Sequence, residues 1–310
     1  MHWSEASINS FRIVIHNSVS MLTPLLSLAN DDWVITIDSW NPWPTIGIIA
    51  ITHGNEIAWL IACDRLLHEF SLREKLKNGK VYLILNNIEA SRKNTRFIDR
   101  DMNRLWDEEG SGYEYERRKT IEPYILACDH VLDLHSTTAP STPMVINSWD
   151  NPLCNDLIWQ LSVEYRIHNI MRYIRGESLI SFHRRHFPHN CAIVIECGSH
   201  LDTSAGSIAY ENACRFLSYF WSVEYHYAHT SGVNLEVIGV YQAPWIGNLE
   251  YCYSETPKSF DILEPHTLVA RFQEEEIHSP DEETLILMPT PFSSYVWDSV
   301  MYFAEQRDIA

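Results

Sequence analysis

The sequence predicts an α/β fold: a mostly parallel central sheet with helices on both faces, followed by a smaller β-rich C-terminal domain. Three observations predict it. Short apolar runs recur, each ending in polar residues. Segments with helical spacing separate those runs. Near residue 230 the pattern changes to short β-like runs with turns.

The elements follow in order. Thr45–Thr52 is nearly continuous in apolar residues, as a strand covered on both faces should be. Gly54–Phe70 places Ile57, Leu60, Ile61, Leu66 and Leu67 at helical spacing. Lys80–Asn86 is a second buried-type strand, Tyr115–Cys128 a helix, and Val131–Leu134 a strand. Asp156–Glu164 reads as a helix, Ala192–Glu196 as a further apolar strand, and Ala205–Tyr227 as a long aromatic-rich helix. Strands alternating with helices imply a mostly parallel sheet covered on both sides. Beyond Gly232, Leu235–Tyr241, Thr267–Phe272 and Thr284–Met288 read as strands. The expected domains are therefore 1–230 and 231–310.

Composition bounds the function. The 310 residues suffice for a sizeable core, and 45% hydrophobic with 21% charged residues is ordinary for a folded chain. The net charge of −18 argues against nucleic acid or an anionic membrane as partner. Acidity is concentrated late, with 3 basic and 14 acidic residues from His229 to the end. No leader is expected at the N-terminus, and Ile13–Asn30, which lacks charged residues but holds Pro24, His16 and several hydroxyls, would span a bilayer poorly. Seven scattered cysteines suggest reduced thiols and a cytoplasmic location.

Chemistry is expected beyond the carboxyl ends of the strands. His53, Gly54, Asn55 and Glu56 follow the first strand; His135, Ser136 and Thr137 follow Val131–Leu134; Ala192–Glu196 ends on Glu196 itself. His53, Glu56 and His135 offer two imidazoles and a carboxylate, a set that leaves a position open on a catalytic zinc. Arg92–Arg104 holds five cations and two aspartates inside an acidic protein. That island suits an anionic substrate, with Arg100, Arg92 and Lys93 equally readable as solvated loop residues and Asp99 and Asp101 as groups that orient the cations.

Four motifs stand in order: THGNE at 52–56, NTRFIDRDMNR at 94–104, LDLHSTT at 132–138 and IECG at 195–198. Together they make the chain resemble the aspartoacylase/succinylglutamate desuccinylase family, relatives of the zinc carboxypeptidases. The resemblance implies one zinc per chain on His53, Glu56 and His135. It implies that Glu196 activates water, that Arg96 polarises the scissile carbonyl, and that Asn103 and Arg104 hold the α-carboxylate. The family also uses an arginine about ten residues before that glutamate. Position 186 is His186 here, so Arg185 or Arg184 stands in, and Tyr295 matches a C-terminal tyrosine. The implied activity is hydrolysis of the amide of a small anionic N-acyl amino acid. A metallocarboxypeptidase acting on short peptides, or a non-catalytic binding protein of the same fold, are the alternatives, and a homo-oligomer is compatible with either.

Overall fold

The computed structural model describes residues 22–146, 151–220, 222–227, 232–244, 247–255, 257–290, 292–293 and 298–306. Eleven strands form one mixed sheet. Its first eight strands are β1 (Val34–Asp38), β2 (Thr45–Ala50), β3 (Lys80–Leu85), β4 (His130–Thr137), β5 (Met144–Ile146), β6 (Tyr165–His168), β7 (Ala192–Ser199) and β8 (Val233–Ala243). They lie in the order β1-β3-β2-β4-β7-β5-β6-β8, and Asp298–Gln306, Thr284–Leu287 and Ile262–Leu263 continue the sheet beyond β8. Pairing is parallel from β3 through β2 and β4 to β7. It is antiparallel at β1, between β7 and β5, and throughout the C-terminal strands.

The mostly parallel sheet with an appended antiparallel region agrees with the expected fold class. β8 pairs in parallel with β6, so the chain after residue 230 enters the same sheet. Leu268–Phe272 instead pairs with Glu250–Tyr251 and Glu275–His278 in a small separate sheet.

The buried strands divide their side chains between two faces, as the two-residue period of a strand requires. Leu132 and Leu134 of β4 and Ile193 and Ile195 of β7 enter the core beneath the helices Ala58–His68 and Ala205–Tyr219. Val131 and Val194 face the opposite core, which includes Ile121 and Ile125 of Tyr113–Leu126 and Leu179 and Ile180 of Leu179–His186. Asp133, His135 and Glu196 alternate onto that second face.

Several expected elements change. The helix expected at Asp156–Glu164 is Pro152–Ile158: the Asn151 side chain caps it by accepting from the Leu153 and Cys154 amides. The chain then turns, with the Ser162 amide donating to Asn212, and enters β6. The long helix expected at Ala205–Tyr227 ends at Tyr219, where the Phe220 ring stacks on His130 and the Ser222 amide returns to the Leu217 carbonyl. β1, β5, β6, Leu179–His186 and Asp298–Gln306 were not expected. Among the described residues no helix is long and apolar enough to cross a membrane.

Candidate active site

The site forms where β2, β4 and β7 end together. β4 and β7 are in register with His135 opposite Glu196, which places both side chains on one face. At the end of β2, Ile51 adopts φ +53°, a conformation costly for a β-branched residue. That turn carries Thr52 and His53 off the strand. Gly54 follows because a Cβ there would lie 2.3 Å from the backbone of Ala90 and Ser91. Its amide donates to the Arg96 carbonyl, tying this turn to the basic loop.

His53, Glu56 and His135 are all buried, and one ligand atom from each falls within 4.8 Å of the others. His53 Nδ1 lies 2.6 Å from Glu56 Oε1, and His135 Nδ1 lies 3.0 Å from Glu56 Oε2. The far nitrogens face other carboxylates. His53 Nε2 is 3.1 Å from Asp101 Oδ1, and His135 Nε2 is 2.9 Å from Asp133 Oδ2. Asp133 is itself held by a hydrogen bond from the Thr52 hydroxyl. An imidazole whose outer nitrogen lies against a carboxylate, hydrogen-bonded at His53 and in ion-pair contact at His135, is oriented to present the other nitrogen to a metal.

The electrostatics fit a cation. Burial disfavours charge on Glu56, but His53 and His135 outweigh it and hold the carboxyl well below its usual range. Burial pushes His135 down, and Asp133 and Glu56 more than reverse this, so the imidazole strongly favours a proton. Asp101 is likewise buried and is kept ionised by Arg96, His53 and Arg104. A cluster that draws a proton onto His135 is one in which a divalent ion can replace it. Glu196 differs. Burial pushes its carboxyl up to about 7, with His135 pulling back and Glu56 adding to the rise. Its Oε2 is buried and has no hydrogen-bond partner.

The basic loop supplies the next layer. Arg96 Nε donates to Asp101, and its Nη1 is 3.7 Å from Glu56. Asp101 also caps the turn Met102–Arg104 by accepting from the Asn103 amide. The Leu179 amide donates to the Asn103 side-chain oxygen, which leaves the Asn103 amide nitrogen as the group able to donate to a ligand. Arg104 donates to the Asn103 carbonyl. Of the remaining cations, Arg92 pairs with Glu89 and Arg100 with Glu108, outside the cleft. Asp99 does not orient a cation as expected; it accepts from the Tyr113 amide at the start of a helix.

A cleft of about 150 Å³ joins these groups, lined by His53, Glu56, His135, Glu196, Arg96, Asn103 and Arg104. Its other walls are apolar or hydroxylated, including Ile170, Met171, Ile174, Met288, Thr290 and Tyr302. Arg185 is a correction: it is exposed and forms two hydrogen bonds with Glu177, away from this lining. Arg184 is buried instead beside Cys154 Sγ. A helical turn separates directions that a sequence offset cannot distinguish. Tyr295 lies outside the described residues.

Sequence reasoning passed over Asp133 and Glu114. The Glu114 carboxylate accepts from the amides of Ile98, Asp99 and Arg100 and from the Asn87 side chain, and so shapes the basic loop. Asp133 had a signal, an acid inside an apolar strand two residues before His135. Glu114 had none beyond an acid near a helix start.

Comparison with known proteins agrees with this geometry. A family model described as the succinylglutamate desuccinylase/aspartoacylase catalytic domain matches residues 42–216. A succinylglutamate desuccinylase from Pseudomonas paraeruginosa is 40% identical over 73 residues, covering 23% of this chain and only 22% of that protein's length. A crystal structure of a succinylglutamate desuccinylase/aspartoacylase from Rhodobacter sphaeroides superposes with a TM-score of 0.69 at 16% identity, covering 88% of this chain and 89% of the other. The product-bound ectoine utilization protein from Ruegeria pomeroyi superposes with a TM-score of 0.68 at 15% identity, covering 89% and 92%. These two likenesses are of fold. The domain match, spanning more than half the sequence, and the residues at the ends of β2, β4 and β7 together place the chain in the succinylglutamate desuccinylase/aspartoacylase family.

Proposed function

We propose that the protein is a zinc-dependent amidohydrolase that removes the acyl group from a small anionic N-acyl amino acid. One observation carries the reading: His53, Glu56 and His135 converge in the same small cleft as an unpartnered Glu196 oxygen and Arg104. In this reading residues 1–230 form the hydrolase domain, and residues 231–310 form a β-rich domain contributing Met288, Thr290 and Tyr302 to the cleft wall.

The donor set fits zinc, since two imidazoles and one carboxylate leave a coordination position open. One metal per chain, bound there, would supply Lewis acidity toward an amide carbonyl and toward water. The chain's own groups do the rest. Glu196 accepts the proton of the attacking water, and the same proton then goes to the leaving nitrogen as the C–N bond breaks. A carboxyl near pH 7 in affinity is matched to both halves of that transfer. Arg96, held by Asp101, donates to the oxygen that becomes negative as the carbonyl turns tetrahedral. Arg104, with the Asn103 amide, holds the substrate carboxylate by charge-assisted hydrogen bonds.

A carboxypeptidase would need room for a peptide upstream of the scissile bond. A cleft of about 150 Å³ favours a small molecule instead. The test is elemental analysis of the purified protein together with hydrolysis of N-acetyl, N-formyl and N-succinyl amino acids, with short peptides alongside. One zinc per chain, lost in His135→Ala, and turnover of an N-acyl amino acid are expected. Metal retained by His135→Ala overturns the ligand assignment. Zinc binding with no turnover of any substrate points to a binding protein.

A further inference from the structure

We propose that the cleft selects an N-acyl amino acid whose side chain is apolar, rather than the second carboxylate of an aspartate or glutamate derivative. The inference rests on the deacylase reading and names its substrate class.

A wall of Ile170, Met171 and Ile174 lines the cleft together with Arg104. Gly176, at φ +76°, packs so closely that a Cβ there would lie 2.0 Å from the Arg104 carbonyl oxygen. The Trp106 amide donates to the Glu177 carbonyl, and Leu105 bridges to Glu177 as in a parallel ladder. The segment carrying Ile170, Met171 and Ile174 is thereby fastened against the arginine that holds the α-carboxylate. On an amino acid the side chain is one bond removed from the carbon bearing that carboxylate. It therefore meets this wall, which Ile146, Val194 and Met288 extend.

A second carboxylate placed here would be desolvated with only hydroxyls, such as Thr290, Ser299 and Tyr302, and no further cation among the described residues to receive its charge. Among the described residues the cleft lining holds two cations besides the imidazoles, Arg96 and Arg104. Arg96 is engaged by Asp101 and lies near Glu56, and Arg104 serves the α-carboxylate. The cations nearest in sequence are not in this lining: Arg172 and Arg175 are exposed, Arg184 is buried beside Cys154, and Arg185 pairs with Glu177. The chain from Pro291 to Trp297 has no cationic residue in its sequence. An apolar side chain, by contrast, gains from leaving water against isoleucine and methionine.

The experiment separates the subsite from the chemistry. Zinc-loaded Glu196→Gln protein is titrated by calorimetry with N-acetyl-leucine and N-acetyl-aspartate, and the wild type is assayed for kcat/KM on both. A preference for the leucine derivative of at least about tenfold is expected in each, since pocket contacts of one or two methylenes discriminate by that order. Equal or tighter binding of the aspartate derivative overturns the proposal, as does binding of neither at millimolar concentration. If neither is hydrolysed but the binding order holds, the deacylase reading fails and the apolar subsite stands. Ile174→Arg and, separately, Met171→Lys should shift the preference toward aspartate. A preference unmoved in both variants removes this wall from the subsite.

Discussion

His130 and His135 stand at the two ends of β4, both buried, and their surroundings drive them in opposite directions. At the carboxyl end Asp133 and Glu56 overcome burial and raise His135 well above its ordinary value. At the amino end burial, aided by His183, lowers His130 to about 4. There the ring stacks on Phe220 at 3.8 Å, and its Nδ1 accepts from the Cys191 amide. Burial alone makes a histidine a neutral packing group. Carboxylates on both ring nitrogens turn it into a group that wants a cation. The difference locates the site on one edge of the sheet.

The sharpest way to test that asymmetry is at Glu196, the carboxylate of the site that burial brings to about 7. Glu196→Gln keeps the shape and removes the proton acceptor. Turnover should fall by roughly 10²–10⁴-fold, with metal content unchanged. Activity within threefold of wild type removes Glu196 from the proton transfer. Next in size is Asp133→Asn, which weakens the hold on His135 Nε2 without touching the other nitrogen. Zinc affinity, read by competition with a chromophoric chelator, should drop about 10–100-fold. An unchanged affinity would make Asp133 a core residue that merely accepts from Thr52.

These outcomes bear on what the sequence could reveal. His53, Glu56, His135 and Glu196 were legible because apolar strands announce their own ends, and chemistry collects there. Asp133 was not, because one acid in an apolar run reads as strand interior. β5 and β6 have three and four residues, too few for a two-residue period to register. Arg185 was misplaced because a distance in sequence carries no direction, and on Leu179–His186 adjacent arginines leave the helix about 100° apart, one buried and one exposed. The wall of Ile170, Met171 and Ile174 was invisible for a related reason: only its packing on Arg104 brings it to the cleft.

The basic loop gives a smaller effect. Arg104→Lys keeps the charge but loses the planar fork that can grip a carboxylate with two parallel hydrogen bonds. KM for an N-acyl amino acid should rise by roughly tenfold with little change in kcat, as expected where binding is lost equally in ground and transition states. The methyl ester of the same substrate should be a poor substrate for wild type and nearly indifferent to the substitution. An ester hydrolysed by wild type as efficiently as the free acid would remove the carboxylate role from Arg104.

The smallest expected effect comes from the other end of β4. His130 and His183 both have folded values near 4, His183 through burial, against an ordinary value of 6.5. Between those values the unfolded chain binds protons that the folded chain refuses. The stability from keeping both rings neutral is thus complete above about pH 6.5, is lost as pH falls toward 4, and changes no further below that. From pH 7 to pH 5.5 each ring should contribute a loss on the order of 1 kcal/mol in urea unfolding. His183 makes a hydrogen bond through Nε2 to the Cys128 carbonyl, which the amide of His183→Gln can replace while removing the titration. That variant should remove one ring's share of the pH slope, His130 and the equally lowered His200 keeping theirs. A slope unaltered by His183→Gln would mean that His183 does not stay neutral in the fold across this window, and the contrast between the two ends of β4 would lose its meaning for stability.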